Sequence, residues 1–231
     1  MSFKIGKENI RQILFMLVSV IVMGFSLSVL VLTSFGTDPC SAMNYGVSGA
    51  LSSSGALKIF GISTISFGTY QLLFNLSLII VVIICRPSLI GWGTLGNMIV
   101  VGYTADFFAW FWQHVCGIPS SLPLAVRLAI LVPGLVLFVL SAACYMHSGQ
   151  GMAPYDAIPF ILSEKVTERT GKDHFRIIRL AQDFLCTMIG VLTGGTYGLM
   201  TFLMVLTLGP VVQAVGNIIN PRDRQKAGEG G

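Results

Sequence analysis

Long apolar runs constrain the fold of this chain more than any other feature of its sequence. A membrane span needs about 20 largely apolar residues, and six stretches meet that need. They cover residues 12–33, 63–85, 89–113, 124–147, 174–193 and 198–218. Only 10% of the residues are charged, against about 25% in soluble domains. The sequence therefore predicts an all-α polytopic membrane protein, a single membrane domain over residues 1–231 with the lipid bilayer as its partner.

Two further segments, residues 38–53 and 153–166, are predicted to be short helices that begin at a proline. Gly36-Thr37-Asp38-Pro39 leads into the first, and Gly151-Met152-Ala153-Pro154 leads into the second. Proline suits the first position of a helix, because its missing N–H would be unpaired there anyway. Both segments are too short and polar for an ordinary span. We expect two Pro-initiated, re-entrant helices, each between the first and second span of its half.

Matches between the two halves extend beyond this motif and indicate an internal duplication. Gln71 and Asn75 fall opposite Arg179 and Asp183, and both pairs are four residues apart, on one helix face. Two glycine turns also correspond, with a glycine eight residues after each threonine: Gly91-Trp92-Gly93-Thr94 with Gly102, and Gly198-Leu199-Met200-Thr201 with Gly209. The predicted first repeat covers residues 12–114 and the second covers residues 124–218.

Basic residues set the expected orientation, because loops rich in Lys and Arg stay cytoplasmic. They cluster at both ends and in one middle loop: Lys4, Lys7, Arg11, Lys165, Arg169, Lys172, Arg176, Arg222, Arg224 and Lys226. The loop equivalent to the middle one, residues 52–62, carries only Lys58. This asymmetry favours two inverted repeats with six spans in total, with both termini cytoplasmic and residues 219–231 as a flexible cytoplasmic tail. The alternative is eight helices in two parallel four-helix halves.

Paired, interrupted segments in two halves of a membrane protein point to a binding site at the bilayer midplane. The predicted substrate-binding residues lie at these helix starts, on the second span and in the glycine turns: Asp38, Pro39, Ser41, Asn75, Thr94, Pro154, Tyr155, Asp156 and Thr201. A simpler interpretation stays open for the two acids at the helix starts. Asp38 and Asp156 would then only cap short helices.

Charged residues inside predicted spans are the next signal, because a charge in hydrocarbon is costly and marks a pathway or a partner. Arg179 and Asp183 share one helix face and are predicted to form an ion pair. Asp106 has no basic residue within one helical turn. These three residues are the candidates for coupling to an ion or proton, and a structural role is the alternative for each.

The sequence predicts no cofactor, no metal site and no enzymatic activity. The cysteines, Cys40, Cys85, Cys116, Cys144 and Cys186, are scattered singly, and no histidine has a second ligand at metal spacing. No phosphate-binding loop or nucleophile-and-base pair is present. The net charge of +4 is concentrated in the tails and one loop, a pattern of membrane orientation and not of nucleic-acid binding.

A resemblance to a family adds to these observations. The motifs at Gly36 to Pro39, Gly91 to Thr94 and Ala153 to Ala157, and the Arg179/Asp183 pair, resemble the YczE/YyaS/YitT-like family of bacterial integral membrane proteins. The likeness covers roughly residues 10–218. It departs at Met152-Ala153, where a second glycine is expected before Pro154, and at Leu199-Met200. The resemblance implies a multi-pass protein of the bacterial cytoplasmic (inner) membrane and suggests transport.

We expect a secondary transporter or permease for a small polar solute, because the chain carries in duplicate the polar groups that a path through the membrane needs. The alternatives are a non-transporting scaffold that assists a membrane-associated enzyme, and an enzyme that acts on lipid. The last would need a catalytic constellation that the chain lacks. The partners are then the bilayer and an unidentified small-molecule solute, with no nucleic acid and with a homo-oligomer left open.

Overall fold

In a computed structural model, the described part of the chain, residues 7–119, 122–172 and 174–207, consists of helices joined by turns and loops. The helices are α1 (Lys7–Thr33), α2 (Pro39–Ser54), α3 (Phe67–Cys85), α4 (Trp92–Gly96), α5 (Gly102–His114), α6 (Leu124–Met146), α7 (Pro154–Thr170) and α8 (Phe175–Leu192). A further helix, α9, begins at residue 199 and continues to residue 207. The predicted residues 208–218 of the last span, Gly209 and the tail 219–231 lie outside the described ranges.

The predicted all-α class is confirmed, and three helices are long and apolar enough to span a membrane. These are Ile10–Thr33, Phe67–Cys85 and Leu124–Met146. Large apolar side chains face outward from them: Ile84 is 76% exposed and Val132 is 63% exposed. Contiguous apolar surface of this kind marks contact with lipid or with another protein. The helix α8 carries Arg176, Arg179 and Asp183 and is not among the three.

Helices α1 and α6 pack side by side and run antiparallel. Near one end of the pair, the Arg127 side chain donates to the carbonyl oxygen of Thr33. At the other end, Gln150 Nε2, just beyond α6, donates to Gln12 Oε1 at 3.0 Å. The core between these helices and their neighbours is made of buried apolar side chains: Met16, Val20, Met23, Leu27, Leu30, Phe67, Val101, Ala105, Phe138, Tyr145 and Met204.

Helices α4 and α5 form one continuous rod that runs parallel to α1. A π-helical segment, Asn97–Val101, joins them without a break in the helical backbone. Gly24 lies against Thr104, and four residues further along α1, Ser28 accepts a hydrogen bond from Trp112 Nε1 at 3.1 Å. The π-helical segment was not predicted from the sequence, because its wider hydrogen-bond pattern has no residue signature there.

The short helices α2 and α7 each pack against a helix of the other half of the chain. Helix α2 lies on α8, where Gly46 faces Thr193 and Gly195. Helix α7 lies on α3, where Val82 packs against Ala157 and Ile161. At the end of that contact, Arg86 and Glu164 form an ion pair with N and O 3.0 Å apart. The helix that follows each short helix, α3 or α8, therefore packs against the short helix of the other half.

Candidate functional site

Helix α2 begins as its sequence predicts. Asp38 has the extended backbone of an N-cap residue, with φ −62° and ψ 156°, and Pro39 occupies the first helical position. Asp38 Oδ2 accepts a hydrogen bond from the Ser41 backbone N–H at 3.1 Å. An N-cap side chain of this kind satisfies one of the free N–H groups at a helix start. Because Asp38 is 8% exposed, this helix start is buried inside the protein.

Helix α7 also begins at its proline, Pro154, but it has no side-chain cap. The N-cap residue is Ala153, and Asp156 lies in the first turn. The Asp156 carboxylate accepts a hydrogen bond from Arg179 Nη1 at 2.7 Å. The interpretation that the two acids only cap short helices therefore fits Asp38. It fits Asp156 less well, because the Asp156 carboxylate is bonded to Arg179 of α8.

Arg179 of α8 bridges two carboxylates. Its Nε donates to Asp183 Oδ2 at 3.1 Å, the intrahelical pair predicted from the four-residue spacing. Asp183 Oδ1 accepts a shorter bond, 2.6 Å, from the Tyr155 hydroxyl. The Arg179 guanidinium lies 5.1 Å from the centroid of the Tyr155 ring, within the range of a cation–π contact. Together these contacts fix the start of α7 against the middle of α8.

The predicted residues at the two helix starts line one cavity. It has a volume of about 1350 Å³ and is lined by Asp38, Ser41, Asn75, Tyr155, Asp156, Arg179 and Asp183. One wall is apolar and includes Met23, Leu27, Val101 and Phe138. The lining continues to charged residues near the end of α3 and around the junction of α7 and α8: Arg86, Glu164, Glu168 and Arg176. An apolar cavity with a few placed polar groups is the usual form of a small-molecule site.

Sequence reasoning missed several polar residues of the same cavity. Gln71, Asn97 and His147 line it, and so does Cys40. Gln71 stands one helical turn before Asn75, so the four-residue spacing that singled out Asn75 also marks it. The side chains of Asn97 and His147 reach the cavity through the packing of α4, α5 and α6, for which the sequence has no local signal.

Four other predicted binding residues do not line the cavity. Pro39 and Pro154 set the helix starts, and Thr94 and Thr201 lie in the first turns of α4 and α9. Both threonines are almost fully buried, with exposures of 1% and 0%. Their backbone N–H groups donate to the carbonyl oxygens of Gly91 and Gly198 at 3.1 and 3.0 Å. The structure therefore does not bring these four residues into the cavity lining.

Each glycine turn holds the loop that leads into the short helix of the other half. Thr94 Oγ1 donates to the Met152 carbonyl oxygen at 2.8 Å. In the matching position, Gly36 lies directly against Gly198 and Thr201. Gly36 has φ +107° and Gly151 has φ +90°, a conformation that glycine adopts without strain. Neither position has room for a Cβ atom, because the Thr201 hydroxyl and the Gly198 backbone occupy the space beside Gly36, and backbone atoms of Leu89 and Gly91 occupy the space beside Gly151.

Asp106, the third coupling candidate, lies away from the cavity. Its Oδ2 accepts a hydrogen bond from the Gly68 N–H at 2.9 Å, at the start of α3. A carboxylate in this position stabilises a helix N-terminus. This contact favours the structural alternative for Asp106.

The described residues contain no group of three or more His, Cys, Asp or Glu side chains placed to hold a metal ion. The cavity presents carboxylates, guanidinium groups, amides and phenols beside an apolar wall, which are groups that recognise a ligand by hydrogen bonds and charge. The fold and the cavity together define a helical protein with membrane-compatible helices and an internal polar site.

Residues 10–217 match a family described as a family of unknown function, DUF6198. The chain belongs to this family, since the match covers most of its length. No curated protein and no solved structure matches the chain.

Proposed function

We propose that the chain is a secondary transporter or permease for a small polar solute in the bacterial cytoplasmic membrane. One observation carries the proposal: the starts of two short helices, one from each half, line a single cavity together with Arg179 and Asp183 of α8. Interrupted helices whose N-termini meet near the midplane form the substrate sites of several transporter folds. In this proposal, Asp38, Ser41, Asn75, Tyr155 and Asp156 bind the solute, and the Arg179/Asp183 pair supplies the coupling group.

The proposed architecture is six spans in two inverted repeats, with α2 and α7 entering from opposite faces without crossing. The antiparallel pairing of α1 with α6 supports it, because these are the first helices of the two halves. Two further contacts support it, that of α2 with α8 and that of α7 with α3. A two-fold rotation that exchanges the two halves would turn one of these contacts into the other. In two parallel four-helix halves, Arg86 and Glu164 would lie on opposite membrane faces, whereas they are bonded at 3.0 Å.

The orientation we propose places both termini and the α7–α8 loop in the cytoplasm. Arg86, Lys165 and Arg176 lie at the same end of the bundle, since Lys165 Nζ contacts Cys85 Sγ at 3.7 Å and Arg86 pairs with Glu164. The positive-inside rule assigns such an end to the cytoplasm. The cavity reaches this end, so this conformation faces inward. The resemblance to the YczE/YyaS/YitT-like family is compatible with membership of an uncharacterised family.

Thiol labelling tests the proposal even while the solute is unidentified. A transporter exposes its site to each side in turn, whereas a scaffold does not. The chain offers three useful native cysteines: Cys40 lines the cavity, Cys85 lies at its proposed cytoplasmic end, and Cys116 is exposed beyond α5. Three variants would each retain one of them, and an impermeant thiol reagent would be applied to intact spheroplasts and to inverted vesicles.

We expect Cys85 to react only from the cytoplasmic side and Cys116 only from the outer side. Cys40 should react from both sides, because irreversible labelling accumulates even when the outward-facing state is a minor one. Reaction of Cys40 from the cytoplasmic side alone, with both controls behaving as expected, would support the scaffold and contradict transport.

A further inference from the structure

Two residues of the cavity lining, Asp38 and Asn75, each carry a buried side-chain oxygen atom that lacks a hydrogen-bond donor. Asp38 Oδ2 accepts from the Ser41 N–H, but Oδ1 has no partner among the described residues. Asn75 Nδ2 donates to the Gln71 carbonyl oxygen at 2.9 Å, which fixes the orientation of the amide and leaves Oδ1 without a partner in the same part of the chain. Asp38 is 8% exposed and Asn75 is 2% exposed. A buried acceptor without a donor costs about 1–3 kcal/mol, and more when it is charged.

The charges around the helix starts are also unbalanced. Asp38, Asp156 and Asp183 line this part of the cavity, and Arg179 is the basic residue among them. The Arg179 guanidinium is already bonded to Asp156 and Asp183. Asp38 forms no ion pair in the described chain, so the site combines excess negative charge with unused acceptors. An occupant that supplies positive charge and N–H donors would satisfy both.

We propose that the cavity binds an organic cation whose primary ammonium or guanidinium group donates to Asp38 Oδ1 and Asn75 Oδ1. This inference rests on the proposed transport function and assigns the substrate class of the same site. The remainder of the cation lies along the apolar wall formed by Met23, Leu27 and Phe138. Charge-assisted hydrogen bonds to a carboxylate are about twice as strong as neutral ones, so Asp38 contributes most of the selectivity.

Other occupants fit the site less well. A divalent metal ion needs several oxygen ligands around one point, and the described residues contain no cluster of three or more acidic, Cys or His side chains that would hold one. At the helix starts an anion would meet three carboxylates, Asp38, Asp156 and Asp183, and Arg179, the guanidinium beside them, already has two partners. The volume of about 1350 Å³ accommodates an organic molecule and far exceeds that of a bare ion.

Thermal melting of the detergent-purified full chain tests this assignment. The probes are ethylammonium chloride and methylguanidinium chloride, at fixed ionic strength. Tetramethylammonium chloride, a cation without N–H donors, and sodium acetate serve as controls. A ligand that binds only the folded state raises the melting temperature, and the rise grows with the logarithm of ligand concentration once the concentration exceeds Kd. We expect such a concentration-dependent rise with the two donor cations and none with either control salt.

The decisive variant is Asp38→Asn, since asparagine is an equally good N-cap. It should melt close to the wild type without probe and lose the response to both donor cations. Asp106→Asn is the matched control, because it removes a carboxylate at another helix start and should keep the full response. If Asp38→Asn does not fold, Asn75→Leu serves instead. This variant should need at least ten times more probe than the wild type for the same rise in melting temperature.

Three results would overturn the assignment: no response of the wild type to either donor cation, an equal response to tetramethylammonium or acetate, or an unchanged response in Asp38→Asn. The melting experiment tests the cation assignment, and the labelling of Cys40 tests transport separately. Labelling from both sides without a cation response leaves a transporter of another substrate class. A cation response with labelling from one side leaves a cation-binding protein that does not transport.

Discussion

At the scale of single residues, Arg179 is the charge that joins two carboxylates of the cavity lining. It is bonded to Asp156 in the first turn of α7 and to Asp183 in the middle of α8. The intrahelical pair alone would suggest that losing Asp183 leaves the guanidinium unpaired. The bond to Asp156 changes that expectation, because the guanidinium keeps one partner whichever carboxylate is lost.

We therefore expect Arg179→Met to reduce the free energy of unfolding more than Asp183→Asn or Asp156→Asn. Removing one partner of a buried ion pair costs about 3–5 kcal/mol, because it leaves an uncompensated charge. Arg179→Met leaves two such carboxylates, whereas each Asn variant leaves the guanidinium with a carboxylate. Chemical denaturation in detergent would measure all three. Equal losses in the three variants would show that Arg179 does not bridge the two acids.

The residues of the site differ in how far the sequence revealed them. The Arg179–Asp183 pair was predictable, since residues four apart share a helix face. The Asp38 cap was predictable from Asp-Pro followed by small polar residues. The bonds of Tyr155 to Asp183 and of Arg179 to Asp156 were not, because they depend on how α7 crosses α8. The binding roles of the individual residues stay predictions.

At the scale of helices, glycine lets the short helix α2 approach α8 closely. Gly46 faces Thr193 and Gly195 across this contact, and a Cβ atom on Gly46 would overlap the Thr193 hydroxyl. Gly49, one turn further along α2, is exposed and has open space around it. One helix therefore contains a glycine that packing requires and another that packing does not require.

This difference predicts opposite effects for the same substitution. Gly46→Ala should cost about 1–3 kcal/mol of stability, because overpacking forces the helices apart. Gly49→Ala should be neutral or stabilising by about 0.5–1 kcal/mol, since alanine favours the helix. Melting curves of both variants provide the measurement. A melting temperature of Gly46→Ala at or above that of Gly49→Ala would contradict the close contact of Gly46 with Thr193 and Gly195.

Helix boundaries were predicted well at the starts and less well at the ends. The segments expected at residues 38–53 and 153–166 correspond to α2, Pro39–Ser54, and α7, Pro154–Thr170. Proline marks both starts. The polar end of α7 was placed too early, because its charged residues are good helix formers and the helix continues to Gly171, where φ is +69°. Polarity indicated the edge of the apolar region and not the end of the helix.

At the scale of the whole molecule, the proposed inverted arrangement predicts where two loops lie relative to the membrane. Ser54 ends α2 and Thr170 ends α7, and both are exposed. The two short helices are proposed to enter from opposite faces, so their C-terminal ends should be on opposite sides. Ser54→Cys and Thr170→Cys, each in a cysteine-free chain, make this measurable with an impermeant thiol reagent.

We expect position 54 to react only from the outer side and position 170 only from the cytoplasmic side. The basic loop after Thr170 and the single Lys58 after Ser54 are the reason for this assignment. Reaction of both positions from the same side would exclude the inverted arrangement and return the parallel alternative to consideration.

The loops before α2 and α7 each contact a turn of the other half, and this has a consequence for the order in which they dock during synthesis. The loop before α7 meets a turn made earlier, since Thr94 and Met152 are 58 residues apart. The loop before α2 waits for a turn made much later, because Thr37 and Thr196 are 159 residues apart. At synthesis rates of about 5–20 residues per second, that wait lasts roughly 10–30 s. Two equivalent helix starts therefore mature at different times, and the first to be synthesised is the last to dock.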